Sequence, residues 1–499
     1  MKLEELLYQF KTHAVLAEKQ RLSQWAYQFS HHNAAFLQGL KACGQHLKEI
    51  KSSPFFNHLE NESKYAILRQ IKSMEQLTEQ VIELDLVKKK WPTAITYQAP
   101  AYDEILAMRG MYAGGKQDQL ARLLKLVKTL KTQLKPQQLT ETLSPVSHHW
   151  IDRLPWLVLC QAIRSREITL AKAAFDAIPE DNPVLKALLK VHDKAYLVSL
   201  VKTCAALAPG KVKEIDIDIL CGHLTFEVLI HELLTTLEQR QQFNFCLGLP
   251  THHAYRDRGA GFCLLNKLAV VMAYEELTAD APFHTVIIGT DINRDDGLNS
   301  VLMAETTTQS FTHIDIYDSR VYPWQDDGVL QERMGAPIEE HGRVWQKGNK
   351  CYHSVDLALC SRQRRGCHAA LHYALEALET LLVNAAKKKE NVMLFLPTGW
   401  DSHEMEEAPC GKEIGKDHTL SSKESHSRRF SDEDIFHFTQ KIVEMIKTYP
   451  DTLCRVYWQL EGGYTEYVNV RQLKNTVGIL NEFYPWVEET MENSKALAT

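Results

Sequence analysis

Residues 284–297 read HTVIIGTDINRDDG, a short apolar run that changes into a polar turn rich in aspartate. A run of apolar and β-branched residues bounded by glycine is typical of a buried strand. Strands with such continuous apolar runs belong mostly to parallel sheets that are covered on both faces. The segment therefore predicts a strand of a parallel sheet, with acidic side chains at its carboxyl end.

Similar runs recur along the chain, and helical stretches separate them. The predicted strands span 243–247, 284–289, 313–317, 392–397 and 455–460. This alternation favours an α/β fold with a mostly parallel central sheet that is flanked by helices on both faces. Ligands of such sheets bind outside the carboxyl ends of the strands, so we expect the functional groups there.

Four of these strand ends carry unusual sequences. They are PTHHA at 250–254 with GFC at 261–263, GTDINRDDG at 289–297, PTGWDSH at 397–403 and EGGY at 461–464. Two carboxylates from different strands, with one amide or imidazole ligand, leave a coordination position open for water, as a catalytic metal site requires. Paired histidines can move the protons of a hydrolysis, and a tyrosine hydroxyl can support the developing oxyanion. The pattern predicts a metal-assisted amidohydrolase.

Composition excludes several other classes. The 499 residues include 57 Lys and Arg and 63 Asp and Glu, a formal net charge of −6, which argues against nucleic-acid binding through bulk charge. Hydrophobic residues at 44% and charged residues at 24% are those of an ordinary globular protein. The 11 cysteines form no CxxC pair and favour a reducing, cytoplasmic-type compartment. Neither a signal peptide nor a membrane span is predicted, and no membrane partner is expected.

Taken in order, the four strand-end segments resemble the zinc-dependent histone deacetylase family, which includes acetylpolyamine amidohydrolases and acetoin-utilisation proteins. The family pattern is a tandem histidine after a proline, GFC, an Asp-x-His metal pair, a second-strand Asp and a Gly-Gly-Tyr turn. Residues 191–197, VHDKAYL, resemble its VH-x-x-x-Y-L segment. The resemblance implies the arginase/deacetylase fold and hydrolysis of an N-acyl amide, most simply acetyl-lysine in a protein, with an acetylated polyamine as the alternative substrate.

The resemblance also implies roles for individual residues. Those for the metal are Asp291, Asn293 and Asp401, and those for proton transfer and carbonyl polarisation are His252, His253, Asp296 and Tyr464. Phe262 and Tyr322 resemble the aromatic walls of the acyl-lysine tunnel. Gly261 and Gly463 would leave room for the acyl chain.

Two positions depart from the family pattern. Asn293 stands where the family has a histidine ligand, and an amide oxygen is a weaker and harder ligand than imidazole. The expected Zn²⁺ could therefore be replaced by Fe²⁺ or Mn²⁺. Gly289 stands where the family has the carboxylate that accompanies the first histidine. We therefore expect His252 to lack an acidic partner and to be less basic and less firmly oriented.

The resemblance divides the chain into three regions. A deacetylase-like domain spans 93–485, with insertions near 135–185 and 408–430. Residues 1–92 predict an N-terminal helical extension with amphipathic stripes, which would pack on the domain or recruit a protein partner. Residues 486–499 predict a frayed acidic tail that resembles the glutamate-rich secretion signals of some bacterial effectors, so delivery into a host cell is a further expectation.

Two alternatives stay open at this point. The Asp291-x-Asn293-x-Asp295 run also resembles that of arginase-type two-manganese hydrolases, with Asp401 and His403 completing a second site. The departures at Asn293 and Gly289 also suit a non-enzyme, in which the fold is kept as a binding module. Retention of both carboxylates, both histidines and the tyrosine favours catalysis.

Overall fold

The computed structural model describes most of the chain beyond residue 150. The described residues are 93–97, 126, 129, 139–141, 150–207, 213–215, 218–220, 223–239, 242–304, 310–319, 321–323, 334–335, 343–360, 367–406 and 429–483. The predicted helical extension 1–92, the tail 486–499 and nearly all of the predicted insertion 408–430 lie outside these ranges.

A central β-sheet organises the molecule. Its strands are β1 (Thr93–Tyr97), β2 (Leu139–Glu141), β5 (Phe243–Cys246), β6 (Phe283–Gly289), β7 (Phe311–Tyr317), β8 (Val344–Lys347), β9 (Lys350–Asp356), β10 (Asn391–Thr398) and β11 (Leu453–Leu460). Their order is β2-β1-β5-β11-β10-β6-β7-β9-β8. Among these strands only β8 and β9 pair antiparallel. A separate ribbon pairs β3 (Lys213–Ile215) with β4 (Asp218–Leu220).

The rest of the described secondary structure is mostly helical. The helices are α1 (Trp150–Arg164), α2 (Ile168–Asp176), α3 (Pro183–Val191), α4 (Lys194–Ala206), α5 (His223–Gln239), α6 (Lys267–Thr278), α7 (Asp296–Leu302), α8 (Leu357–Cys360), α9 (His368–Lys388), α10 (Asp432–Thr448) and α11 (Glu466–Phe483). Every residue of β7 is buried, and so is every residue of β10 except its first. Successive residues of a strand point to opposite faces, so both faces of the sheet are covered. The predicted α/β fold is confirmed.

Side-chain caps fix where several helices begin. Asn182 accepts hydrogen bonds from the backbone amides of Val184 and Leu185 at the start of α3. Ser431 and Asp434 form a capping box at the start of α10, in which each side chain bonds to the other residue's backbone. Such caps satisfy amides that have no partner within the helix.

The helices α1 and α2 lie within the predicted insertion near 135–185. Their buried side chains, including Trp156, Leu159 and Phe175, belong to the same hydrophobic core as the sheet. The interpretation as an insertion stays a prediction.

The sheet order explains where a site forms. The strands β5, β11, β10 and β6 are consecutive neighbours, and all of them run in one direction. Their carboxyl ends therefore meet at one edge of the sheet. These are the four strand ends that carry the polar segments.

One further finding concerns membranes. Within the described ranges, no helix combines the length and the apolar character that crossing a bilayer requires.

Candidate active site

Two adjacent histidines lie at the centre of this edge. His252 and His253 follow β5, both are buried, and their ring centroids are 3.9 Å apart. The backbone amides of Thr251 and His252 donate to the Glu461 carboxylate after β11, at 2.5 and 3.3 Å. The loop that carries the histidines is therefore fixed to the neighbouring strand end.

Two carboxylates converge beside the histidines. Asp291 follows β6, and Asp401 lies in a short 3₁₀ turn, Trp400–Ser402, after β10. A Cβ built on Gly462 would overlap Asp401 Oδ2 and lie 2.7 Å from Asp291 Oδ2, so both carboxylates crowd the same glycine. Burial, reinforced by the Asp291 charge, raises the pKa of Asp401 well above its usual range. Two neighbouring buried carboxylates need a shared proton or a cation.

The hydrogen bonds of this pair leave one oxygen for a cation. Asp291 accepts from the backbone amides of Asn293 and Gly462, at 2.8 and 2.7 Å. Asp401 Oδ1 accepts from the amide of Ile292 at 3.3 Å, whereas no donor among the described residues reaches its Oδ2. Buried polar atoms almost always have a partner. Asp401 Oδ2 is therefore a candidate metal ligand.

The side chain of Asn293 is held through its nitrogen. Its Nδ2 donates to the carbonyl oxygen of Tyr322 at 2.8 Å. A contact of this kind fixes the amide and leaves Oδ1 as the atom that can bind a cation. The donor set of Asp291, Asn293 and Asp401 consists of oxygens and fits a divalent cation, with less preference for zinc than an imidazole would give.

The prediction that His252 lacks an acidic partner is wrong. Its Nδ1 hydrogen bonds to Asp295 Oδ1 at 2.8 Å. A Cβ built on Gly289 would collide with Asp295 Oδ2, so the Asp295 carboxylate fills the space of a side chain at 289. Burial alone would raise the pKa of Asp295, but the hydrogen bonds from His252 and His313 lower it to about 2. The acidic partner of His252 is therefore ionised, and it lies six positions after Gly289 in the chain.

His253 is held by its own carboxylate. Its Nδ1 lies 2.5 Å from Asp296 Oδ1, and the Tyr255 hydroxyl donates to Asp296 Oδ2, also at 2.5 Å. The Arg258 guanidinium lies 3.9 Å from the centroid of the Tyr255 ring. Sequence reasoning missed Tyr255, because nothing local distinguishes a loop tyrosine that contacts a catalytic carboxylate.

Negative charge surrounds His252 from several sides. Burial alone would lower its pKa, but the carboxylates of Asp291, Glu461 and Asp295 together raise it well above 6.5. Burial raises the pKa of Glu461 to about 8. The His252 charge and the hydrogen bond from the Thr251 amide act in the opposite direction but do not outweigh burial. The EGGY motif predicts a turn and gives no signal that Glu461 acts on the histidines.

The predicted tunnel walls and Tyr464 make two aromatic contacts. The rings of Phe262 and Tyr464 lie edge to face, with centroids 6.4 Å apart. The Tyr322 ring lies edge to face with His253, with centroids 5.0 Å apart. The structure thus places Tyr322 beside His253 and Phe262 beside Tyr464.

Glu406, which the sequence analysis did not single out, holds the Tyr464 turn. Its Oε2 accepts from the backbone amides of Tyr464 and Thr465, at 2.9 and 3.0 Å, and its Oε1 accepts from the Thr465 hydroxyl. Three donors on one carboxylate restrict how far this turn can move.

Two glycines in the turns have a role in packing. Gly261 has φ +56°, and a Cβ there would overlap the His253 ring. Gly463 has φ +123°, and a Cβ there would lie 2.7 Å from Asn469 Oδ1. Both positions favour glycine through backbone conformation and close contact. That they also leave room for an acyl chain stays a prediction.

The buried His192 helps to fix the chain that follows the histidine pair. His192 Nε2 accepts from the backbone amide of Asn266 at 3.0 Å, and Asn266 Nδ2 donates to the carbonyl of Ala254 at 3.1 Å. The Tyr196 hydroxyl donates to the carbonyl of Leu264 at 2.6 Å. The VHDKAYL segment thus positions the chain on both sides of the GFC turn.

Replacing His192 with Gln should weaken the pH dependence of stability. Burial lowers the pKa of His192 to about 4, against backbone hydrogen bonds that raise it. Below pH 6.5, His192 therefore binds a proton in the unfolded chain but stays neutral in the folded protein. The free energy of unfolding falls as the pH drops toward 4. Between pH 7.5 and 5, urea unfolding should show about 2 kcal/mol more loss for the wild type than for the variant. Equal losses in both proteins would contradict the buried neutral histidine.

The comparison with known proteins agrees with this geometry. A family model described as the histone deacetylase domain matches residues 157–480. The chain belongs to the histone deacetylase family. No curated protein matches the chain. The match includes every residue placed at the site, from His252 to Tyr464, and supports amide hydrolysis of the deacetylase type and a metal-dependent chemistry.

Within this family, the arginase-type alternative loses its second ligand set. His403 Nε2 faces Asp432 at 3.2 Å, and its Nδ1 accepts from the amide of Met405 at 3.0 Å. Asp295 is bonded to His252 and His313. His403 and Asp295 are thus engaged in other contacts.

Proposed function

We propose that this histone deacetylase family protein hydrolyses N-acyl amides on lysine side chains of proteins, with the help of one divalent cation. The observation that carries the proposal is the buried Asp401 Oδ2. It has no donor among the described residues and lies beside Asp291, next to a histidine pair that is fully oriented. A binding module would gain nothing from this costly arrangement of buried charge.

Asp291, Asn293 and Asp401 would hold the cation. When bound, a divalent cation there would supply Lewis-acid chemistry, by polarising an amide carbonyl and acidifying a water. Zn²⁺ is the family's usual ion. The all-oxygen donor set makes Fe²⁺ or Mn²⁺ the alternatives to test.

The histidines would move the protons. Each Nδ1 donates to an aspartate, so each Nε2 is left to face the reacting groups. His252 Nε2 lies 3.8 Å from Asp291 Oδ2. With a cation bound to that carboxylate, the negative charge that raises the pKa of His252 would be offset, and Nε2 would be placed to accept a proton from the attacking water. His253, whose ring contacts the tunnel wall at Tyr322, is placed to return a proton to the leaving amine.

Tyr464 and the aromatic walls would orient the acyl group. The Tyr464 hydroxyl would donate to the carbonyl oxygen as negative charge develops there. Phe262 would pack along the aliphatic stem that acetyl-lysine and acetylpolyamines share. Because that stem is common to both, an acetylpolyamine amidohydrolase is the second candidate function.

Replacing Tyr464 with Phe should lower kcat on an acetyl-lysine peptide about 100-fold, because one hydrogen bond to the developing oxyanion is lost. The measurement compares wild type and variant, each loaded with Zn²⁺, Fe²⁺ or Mn²⁺, on acetyl-lysine peptides, acetylpolyamines and longer acyl-lysines. Tyr467→Phe is the matched control, because this tyrosine is exposed on α11 and its hydroxyl contacts Arg471. It should keep wild-type activity.

The panel distinguishes the candidate functions. Faster turnover of acetylpolyamines than of peptides would favour the second candidate. If every metal leaves every substrate intact, the hydrolase proposal is wrong and the binding module becomes the better description.

A further inference from the structure

Another buried histidine, His313, lies on the far side of Asp295 from His252. His313, in the middle of β7, is fully buried, and its Nε2 lies 2.9 Å from Asp295 Oδ2. The other oxygen of the same carboxylate, Oδ1, bonds to His252 Nδ1 at 2.8 Å. An ionised carboxylate only accepts hydrogen bonds, so both imidazoles donate to it. Asp295 thus forms a bridge between two rings.

The sheet holds His313 rigidly. Residue 313 is paired in register with Ile287 of β6 and Tyr352 of β9. The Tyr352 ring meets the imidazole edge to face at 90°, with centroids 5.3 Å apart. The donor atom is therefore fixed by the middle of the sheet rather than by a loop.

Asp295 itself has no such support from its own segment. It precedes α7, and its side chain makes no capping hydrogen bond to that helix. Its carboxylate reaches back over Gly289. Among the side chains described, His252 and His313 are the two that hydrogen bond to it. Without His313, the orientation of this carboxylate would depend on the residue that it is supposed to orient.

His253, the neighbour of His252 in the histidine pair, shows the same arrangement. Asp296 bonds to His253 with one oxygen and accepts from the Tyr255 hydroxyl with the other. Each orienting aspartate thus has a second donor on its far oxygen. In one case this donor is a tyrosine at the loop, and in the other it is an imidazole within the sheet.

We propose that His313 is a positioning residue, which fixes the Asp295 carboxylate and through it the ring of His252. The inference rests on the proposed hydrolase function for its kinetic part. It gives a role to the buried imidazole of His313, which is not among the groups proposed to contact the substrate or the cation. Residues of this kind typically contribute 10- to 100-fold to activity.

The test compares His313→Gln with His313→Leu. The Gln amide can reach as far as Nε2 and donate, whereas Leu cannot. We expect His313→Leu to lower kcat on the preferred substrate about 10- to 100-fold with unchanged KM and metal content, and His313→Gln to stay within about threefold of wild type. If the Leu variant does not fold, His313→Asn replaces it, since its shorter amide does not reach Asp295.

A second readout does not depend on activity. In protein labelled with ¹⁵N at histidine, the Nδ1 proton of His252 should give a protected, hydrogen-bonded resonance in wild type and His313→Gln. It should exchange rapidly or disappear in the Leu or Asn variant. The control is His353→Leu on the next strand, β9, whose Nδ1 contacts the Tyr373 hydroxyl instead. It should leave the His252 resonance and kcat unchanged.

The outcomes separate the two proposals. An unchanged His252 proton in the Leu or Asn variant overturns the positioning role, and so does equal damage from Gln and Leu, which would indicate packing alone. A wild type that hydrolyses nothing overturns the function, while the resonance still decides about His313.

Discussion

Replacing Asp401 with Asn should abolish metal binding and, at the same time, raise the melting temperature of the metal-free protein. The metal-free wild type keeps two buried carboxylates, Asp291 and Asp401, against the same glycine. Neutralising one of them removes that repulsion, and the Asn oxygen can still accept from the Ile292 amide. Loss of the cation should reduce kcat about 1,000-fold or more, equivalent to roughly 4 kcal/mol of lost stabilisation of the transition state.

The stability of the metal-free protein should also depend on pH in a way that identifies Asp401. Because burial and Asp291 raise the pKa of Asp401, the metal-free wild type binds a proton that the unfolded chain would release. The contribution of Asp401 to the stability should therefore be greatest at low pH and be lost as the pH rises through the raised pKa. Asp401→Asn should lack this pH-dependent contribution.

Metal content and differential scanning calorimetry, with and without added metal, check both parts. Added Zn²⁺, Fe²⁺ or Mn²⁺ should raise the wild-type melting temperature and leave that of Asp401→Asn unchanged. The matched control is Asp451→Asn, an exposed aspartate before β11, which should bind metal like wild type. A variant that keeps a full equivalent of metal, or melts below the metal-free wild type, would contradict the assignment.

The fold and the location of the site could be predicted because they depend on local patterns. The strand at 284–289 contains the apolar, β-branched run Val286–Ile288 and ends in glycine, and the observed β6, Phe283–Gly289, differs from it by one residue. The parallel order then brings the four strand ends together. Family motifs with fixed spacing placed Asp291, Asp401 and Tyr464 on the same edge.

The partners of the histidines could not be predicted, because they depend on contacts between distant parts of the chain. Asp295 lies six positions after Gly289, and the intervening turn brings its carboxylate back into the space above that glycine. His313 reaches it from another strand. No spacing rule connects these three residues, and a pattern matched position by position detects only the missing carboxylate at 289.

Glu406 shows the same limit. It follows Asp401 by five residues and carries no motif signal of its own, yet it binds the backbone of the Tyr464 turn. Its role follows from the pairing of two strand ends, β10 and β11, that are adjacent in space and far apart in sequence.

The exchange of a carboxylate between positions 289 and 295 predicts a strong interaction between two substitutions. Gly289→Asp alone should destabilise the protein by at least about 3 kcal/mol, because it forces a second buried carboxylate into the volume of Asp295. Asp295→Gly alone should lower kcat about 100-fold, because His252 loses its partner. The double variant carries the carboxylate at 289 and should recover to within about 1 kcal/mol and tenfold of wild type, since one carboxylate again lies between His252 and His313.

Urea unfolding and steady-state kinetics on all four members of the cycle provide the measurement. Gly478→Asp is the matched control for a new aspartate, because this glycine is exposed on α11 and a Cβ there would meet no atom within 4 Å. It should change the free energy of unfolding by less than about 1 kcal/mol, the cost of glycine against other residues in a helix. A double variant no more stable than Gly289→Asp, and no more active than Asp295→Gly, would show that the two positions do not share one carboxylate site. Recovery in the double variant would mean that the family's charge at this place has been kept while its position in the chain has changed.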